Sequence, residues 1–164
     1  MSLYHKETIF DRDEIQALVD IYFSKRTGHI ETIDNLWKVN FVEIQDDIPL
    51  LRKLAVPKYT LYRHYFIGYQ KNSYAMPHRD KDEKGITRLT VLGLSPDLEG
   101  GYPIYFEDTK EHGNNGYIPI VYVDEQEGET RTTRWDTLHG VSKVFKGERI
   151  VLVSWFGEKK LFFE

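Results

Sequence analysis

The amino-acid sequence predicts a mainly β fold with N-terminal helices (α+β), its strands rolled into a sandwich or barrel of the jelly-roll kind. Three observations carry that reading. One strong helical pattern stands near the N-terminus. From about Tyr59 onward the chain is a succession of short runs rich in β-branched and aromatic residues. Gly, Pro, Asn and Asp punctuate those runs at SPDLEGG, DTKEHGNNG and FKGE.

Each element follows from local pattern. In FDRDEIQALVDIYFSKRTG, Ile15, Leu18, Val19 and Tyr22 recur at helical spacing, Asp11 or Asp13 can cap the start, and Gly28 follows the end. DDIPLLRKLA is expected to form a short second helix. The strands are then YTLYRHYFIGY, ITRLTVLGLS, GYPIYFE, YIPIVYVDE, TRTTRWDTLHGVSKVF and ERIVLVSWF. The polar loop EDTKEHGNNG is expected to rim a barrel mouth. No repeat, low-complexity tract or linker interrupts the 164 residues. A single domain, 1–164, is therefore expected, with 1–58 as a helical support region and 59–164 as the jelly-roll core.

Composition narrows the chemistry. The chain is 40% hydrophobic and 29% charged, with a formal net charge of −4, which argues against broad nucleic-acid or anionic-membrane binding. It has no cysteine, so disulfides, thiolate metal sites and cysteine nucleophiles are excluded, and any metal site must use nitrogen and oxygen ligands. No apolar run approaches membrane-spanning length and MSLYHKETIF lacks a signal-peptide core, so a cytoplasmic location is expected.

The stretch AMPHRDKD sets His78 and Asp80 two positions apart in a region that reads as strand, where such residues share a face. The ordinary alternative is a surface pair running into the solvated turn RDKDEK. His139 lies several strands later, in WDTLHGVSKVF. If a barrel brings these strands together, two imidazoles and one carboxylate converge as a facial triad, an arrangement suited to a ferrous ion with open positions. Taken alone, a strand histidine such as His139 is more often a structural side chain than a ligand.

Arg149 is more informative. The strand ERIVLVSWF is apolar on both faces, and alternation puts Arg149 on the face of Val151, Val153 and Trp155. An interior guanidinium requires an anion. The turn at Lys146–Gly147 is expected to fold this strand back beside the one carrying His139, so that Arg149 lies a small-molecule length from the metal. A diacid could then chelate the ion at one end and accept the arginine fork at the other. The alternative is an Arg149 that reaches the rim and pairs with an exposed acid.

Taken together, PHRD, EGGYPIYFE and LHGVSKVFKGERIVLVSWF resemble, in order and spacing, the 2-oxoglutarate- and iron(II)-dependent oxygenases, specifically their prolyl-4-hydroxylase-like branch. The resemblance runs from about Tyr65 to Phe156. It implies a double-stranded β-helix, the cupin-like jelly-roll barrel. It further implies that His78, Asp80 and His139 bind iron and that Arg149 binds the distal carboxylate of 2-oxoglutarate. Tyr69 stands where related enzymes often place a tyrosine that hydrogen-bonds the same carboxylate. Tyr65 and Tyr74 are alternatives, and an ordinary core aromatic is the plain reading. Many prolyl hydroxylases of this branch carry lysine where Arg149 stands, and the chain is short for a separate peptide-binding domain.

The implied reaction hydroxylates an unactivated C–H bond of an amino acid, a peptidyl residue such as proline, or a small metabolite. Dioxygen is the oxidant, succinate and carbon dioxide are released from 2-oxoglutarate, and ascorbate is a supporting reductant. No catalytic side chain beyond the metal centre is required. The alternatives are desaturation or cyclisation of a natural-product intermediate on the same scaffold, or a non-catalytic cupin-like module that binds a metal or small ligand. Trp135 reads as core packing or as substrate-pocket wall. Arg88, with Arg131 and Arg134, reads as a contact for an acidic substrate group or as an exposed strand cation. His64 and His112 lack partners at ligand spacing and are read as non-metal. The expected partner is a small-molecule or peptide substrate, with neither membrane nor nucleic acid, and the oligomeric state is not readable.

Overall fold

Two facing antiparallel sheets hold most of the strands. In the computed structural model, residues 3–26, 31–33, 37–55, 59–80, 86–95, 97–108, 116–134 and 136–158 are described, without the side chains of 31–33, 37, 86–90 and 158. The larger sheet runs β1 (Tyr4–Thr8), β10 (Glu129–Arg134), β6 (Ile86–Gly93), β13 (Arg149–Glu158), β4 (Tyr59–Tyr69), β3 (Trp37–Glu43), β2 (Glu31–Ile33). The smaller runs β5 (Ala75–His78), β11 (His139–Val141), β8 (Pro103–Asp108), β9 (Tyr117–Tyr122). A separate ribbon pairs β7 (Glu99–Gly100) with β12 (Val144–Lys146). From β4 onward the chain crosses repeatedly between the two sheets, from β4 to β5, back to β6, over to β8 and β9, back to β10, over to β11 and back to β13, as the jelly-roll expectation requires.

The larger sheet is buried on both faces, which explains why ERIVLVSWF reads as a continuous apolar run. On one face Ile150, Leu152 and Phe156 join Phe66 and Leu92 against the helix α1 (Arg12–Lys25). On the other, Val151 and Val153 join Ile67 and Val91 against Ala75 and Val141 of the smaller sheet. The helix buries Ile15, Leu18 and Tyr22, and Asp11 caps it in a capping box with Glu14. Gly28 lies outside the described residues.

Two expectations are corrected and one, the short second helix, is refined. The segment 1–58 is not only helical: it supplies β1, β2 and β3 to the larger sheet. The second helix is a 3-10 helix, Pro49–Leu54, whose Leu51 and Leu54 are buried at the three-residue spacing of such a turn. The run TRTTRWDTLHGVSKVF divides into β10, β11 and β12, because β10 belongs to one sheet and β11 to the other. Among the described residues, no helix is long and apolar enough to cross a membrane.

Candidate metal centre

His78 and His139 are opposite one another in the β5–β11 register, and their ring centroids lie 4.5 Å apart. Each ring is pinned by its own chain: His78 Nδ1 is 2.7 Å from the Met76 carbonyl oxygen and His139 Nδ1 is 2.7 Å from that of Thr137. A carbonyl only accepts, so each Nδ1 carries a proton, and in the neutral ring each Nε2 then keeps its lone pair. Burial holds His139 below the ordinary histidine pKa, which favours the neutral ring; Asp80 works in the opposite direction and His78 reinforces burial.

Asp80 completes the cluster from just beyond β5, since the strand ends at His78 rather than carrying both residues. Its Oδ1 is 3.5 Å from His78 Nε2 and its Oδ2 is 3.6 Å from His139 Nε2. Both separations exceed ordinary hydrogen-bond length. Buried Oδ2 has no hydrogen-bond partner, which is unusual for a carboxylate oxygen unless it serves another ligand. The donor atoms of His78, Asp80 and His139 all lie within 4.8 Å of one another. Gly140 lets β11 come this close to β5, because a Cβ there would stand 2.7 Å from the Ala75 carbonyl oxygen.

These residues open onto a cavity of about 100 Å³ between the two sheets, which Tyr69, Arg131, Arg149 and Trp155 also line. Arg149 is 2% exposed, so the rim alternative does not hold. Its strand is not beside β11 either: β13 pairs with β4 and β6, and Arg149 reaches the site across the sandwich. Arg149 is the register partner of Tyr69, and its guanidinium carbon stands 4.9 Å from that ring's centroid. Its Nε and Nη2 donate to Glu125 at 3.2 and 3.0 Å.

Burial raises the Tyr69 pKa, opposed by Arg149. Tyr65 also lines the cavity and accepts the Trp155 indole N–H at 3.1 Å, whereas Tyr74 is not among the lining residues. Trp135 lies outside the described residues, as does His112, and so does the side chain of Arg88, whose backbone is opposite Arg134. Arg134 is exposed and paired with Asp136. His64 lies in a different cleft, with Ser154 and Leu51.

Glu125 carries no mark in the sequence, and Arg131, read with Arg88 and Arg134 as a contact for an acidic group or an exposed strand cation, is in fact buried. Glu125 closes the run YIPIVYVDE, read as a strand with no role for its acids, whereas the observed strand ends at Tyr122; TRTTR has no apolar alternation to say which face is inside.

No protein-family model and no curated protein matches this sequence. Solved structures do match. The viral collagen prolyl hydroxylase of Paramecium Bursaria Chlorella virus-1, in complex with 2-oxoglutarate, superposes at a TM-score of 0.69 with 14% identity over 97% of both chains. A Pseudomonas putida prolyl-4-hydroxylase does so at 0.69 with 13% identity, over 96% of this chain and 94% of that one. HygX of Streptomyces hygroscopicus, with nickel, 2-oxoglutarate and hygromycin B bound, matches at 0.67 with 13% identity, over 96% and 84%. The fold is therefore the jelly-roll of the 2-oxoglutarate and iron(II) oxygenases.

Proposed function

We propose that this chain is an iron(II)- and 2-oxoglutarate-dependent oxygenase that hydroxylates an unactivated C–H bond of a small molecule or peptidyl residue. One observation carries the reading. Two imidazoles and a carboxylate aim their donor atoms at one point of a cavity that a buried, aromatic-backed guanidinium also lines.

The donor set fits iron(II): two neutral nitrogens and one carboxylate oxygen, with no soft ligand. Backbone carbonyls fix both rings, so His78 and His139 need not reorganise to present Nε2. Asp80 would contribute Oδ2, its unpartnered oxygen, and the negative charge that offsets a divalent ion. Iron(II), with 2-oxoglutarate and dioxygen, would supply the oxidising power that no side chain of this protein has.

The residues facing the metal ligands suit a diacid. Glu125 holds the Nε–Nη2 edge of Arg149 and leaves Nη1 as a donor for the distal carboxylate. Tyr69, in register with Arg149, would donate its hydroxyl proton to the same carboxylate. Ile67, Val91, Val151 and Val153 give the cavity an apolar wall that limits water. The likeness to an enzyme solved with hygromycin B bound and to prolyl hydroxylases supports a small-molecule or peptide substrate without choosing between them.

The test is direct. Anaerobic protein given iron(II) and 2-oxoglutarate should develop a weak visible charge-transfer band. With oxygen and a panel of amino acids, proline-containing peptides and small metabolites, succinate should rise above the uncoupled background. Protein that gives neither signal overturns the proposal.

A further inference from the structure

The cavity holds a positive charge that none of the roles above uses. Arg131, on β10, lines the same cavity as His139 and Arg149, and its side chain is 9% exposed. Its guanidinium carbon stands 5.7 Å from the Tyr105 ring centroid. Its Nη1 is 3.6 Å from Glu125 Oε2, and both Nε and Nη1 are buried without a hydrogen-bond partner.

Among the described residues, Glu125 is the acid within ion-pair reach of Arg131, and it is already engaged by the Nε–Nη2 edge of Arg149. One carboxylate thus serves two buried guanidiniums. A buried cation with unmade hydrogen bonds is costly unless an anion meets it. Glu125 approaches from outside the cavity, because it lines a separate cleft with Gly93 and Gly101. It therefore backs both arginines and leaves their cavity side to a ligand.

We propose that Arg131 is a second anchor for the distal carboxylate of the diacid, shared with Arg149 and backed by Glu125. The pair would make the site select a dicarboxylate over a monocarboxylate. This rests on the co-substrate reading above. It also has a consequence for charge. The two guanidiniums and a divalent ion are matched by Glu125, Asp80 and the two carboxylates of one diacid, so no charged group is demanded of the primary substrate near the reacting carbon.

The test compares 2-oxoglutarate with 2-oxopentanoate, which keeps the chelating end and lacks the distal carboxylate. Protein loaded with manganese(II) is titrated with each acid by calorimetry. Wild-type protein should prefer the diacid. Arg131→Met should weaken 2-oxoglutarate binding by about tenfold to a hundredfold, the loss expected of charge-assisted hydrogen bonds. It should leave 2-oxopentanoate and manganese(II) binding unchanged. Arg131→Lys, which keeps the charge and loses the planar fork, should fall between the two, and it carries the comparison if the methionine variant does not fold.

Unchanged 2-oxoglutarate binding in a folded variant, or equal weakening of both acids, overturns the role of Arg131. Wild-type protein that binds neither acid overturns the co-substrate reading itself, and this inference with it.

Discussion

His139 and His78, far apart in sequence, are direct cross-strand partners in the β11–β5 pair, with ring centroids 4.5 Å apart and planes inclined at 53°. Register alone sets that meeting, and the backbone carbonyls of Thr137 and Met76 set the aim of each ring. Replacing His139 by Ala should therefore abolish both succinate formation and tight manganese(II) binding, the latter read by electron paramagnetic resonance. Stoichiometric manganese(II) binding by the variant would put the ion elsewhere.

Gly140→Ala probes the same meeting through the backbone. The new Cβ would lie 2.7 Å from the Ala75 carbonyl oxygen, so β11 must move away from β5. Overpacking of this kind costs about 1–3 kcal/mol. The expected result is a lower thermal midpoint together with weaker manganese(II) binding, since the displaced strand carries His139. A variant that loses stability but keeps full metal affinity would separate the glycine from the site.

Much of this site was legible in the sequence, and particular residues show why. His78, Asp80 and His139 carry chemistry in their residue types, and Arg149 was conspicuous as a cation at the head of an apolar strand. The partner of Arg149 was not legible. Glu125 closes the run YIPIVYVDE, which reads as a strand, but the observed strand ends at Tyr122 and the segment after it brings the carboxylate onto Arg149. The neighbour of β13 was misjudged for a related reason. A short turn suggests adjacent strands, whereas in a jelly-roll consecutive strands cross between sheets, so β13 meets β4 and β6. β1 was missed because YHKET is mostly polar and is held as a strand by its pairing with β10.

Tyr65 gives a pH prediction. Burial, the largest cause, pushes its hydroxyl from the ordinary 10.0 up to about 12, while the Trp155 N–H pulls the other way. A raised folded-state value means that the stabilisation is complete below pH 10, where both folded and unfolded tyrosine are protonated. It is lost as pH rises through the folded value, because the unfolded chain gives up its proton first. Two units correspond to about 3 kcal/mol. Burial also raises Tyr22, Tyr69 and Tyr105, so the loss of stability above pH 10 has several contributors, and by chemical denaturation it should be smaller in Tyr65→Phe by about that amount. An identical alkaline loss in that variant would assign it to other groups.

Glu125→Gln separates charge from shape in the arginine pair. Glutamine keeps the volume and one acceptor, but leaves Arg149 and Arg131, with side chains 3% and 9% exposed, without their shared counter-ion. Breaking a buried pair in this way costs about 3–5 kcal/mol, which in a chain of this size lowers the thermal midpoint by about 6–20 °C. The ligand response then discriminates. If the two guanidiniums await a carboxylate, 2-oxoglutarate supplies the missing charge, and the rise in midpoint at saturating ligand should be larger in the variant than in wild-type protein, because ligand that binds only the folded state stabilises according to its affinity. If Glu125 matters only by aligning Arg149, affinity falls and the rise shrinks. Electrostatics should dominate alignment here, because both guanidiniums remain packed against their tyrosine rings, Arg149 on Tyr69 and Arg131 on Tyr105, whatever the charge at position 125. A smaller ligand-induced rise in Glu125→Gln, measured by scanning fluorimetry in the presence of manganese(II), would show that reasoning to be mistaken.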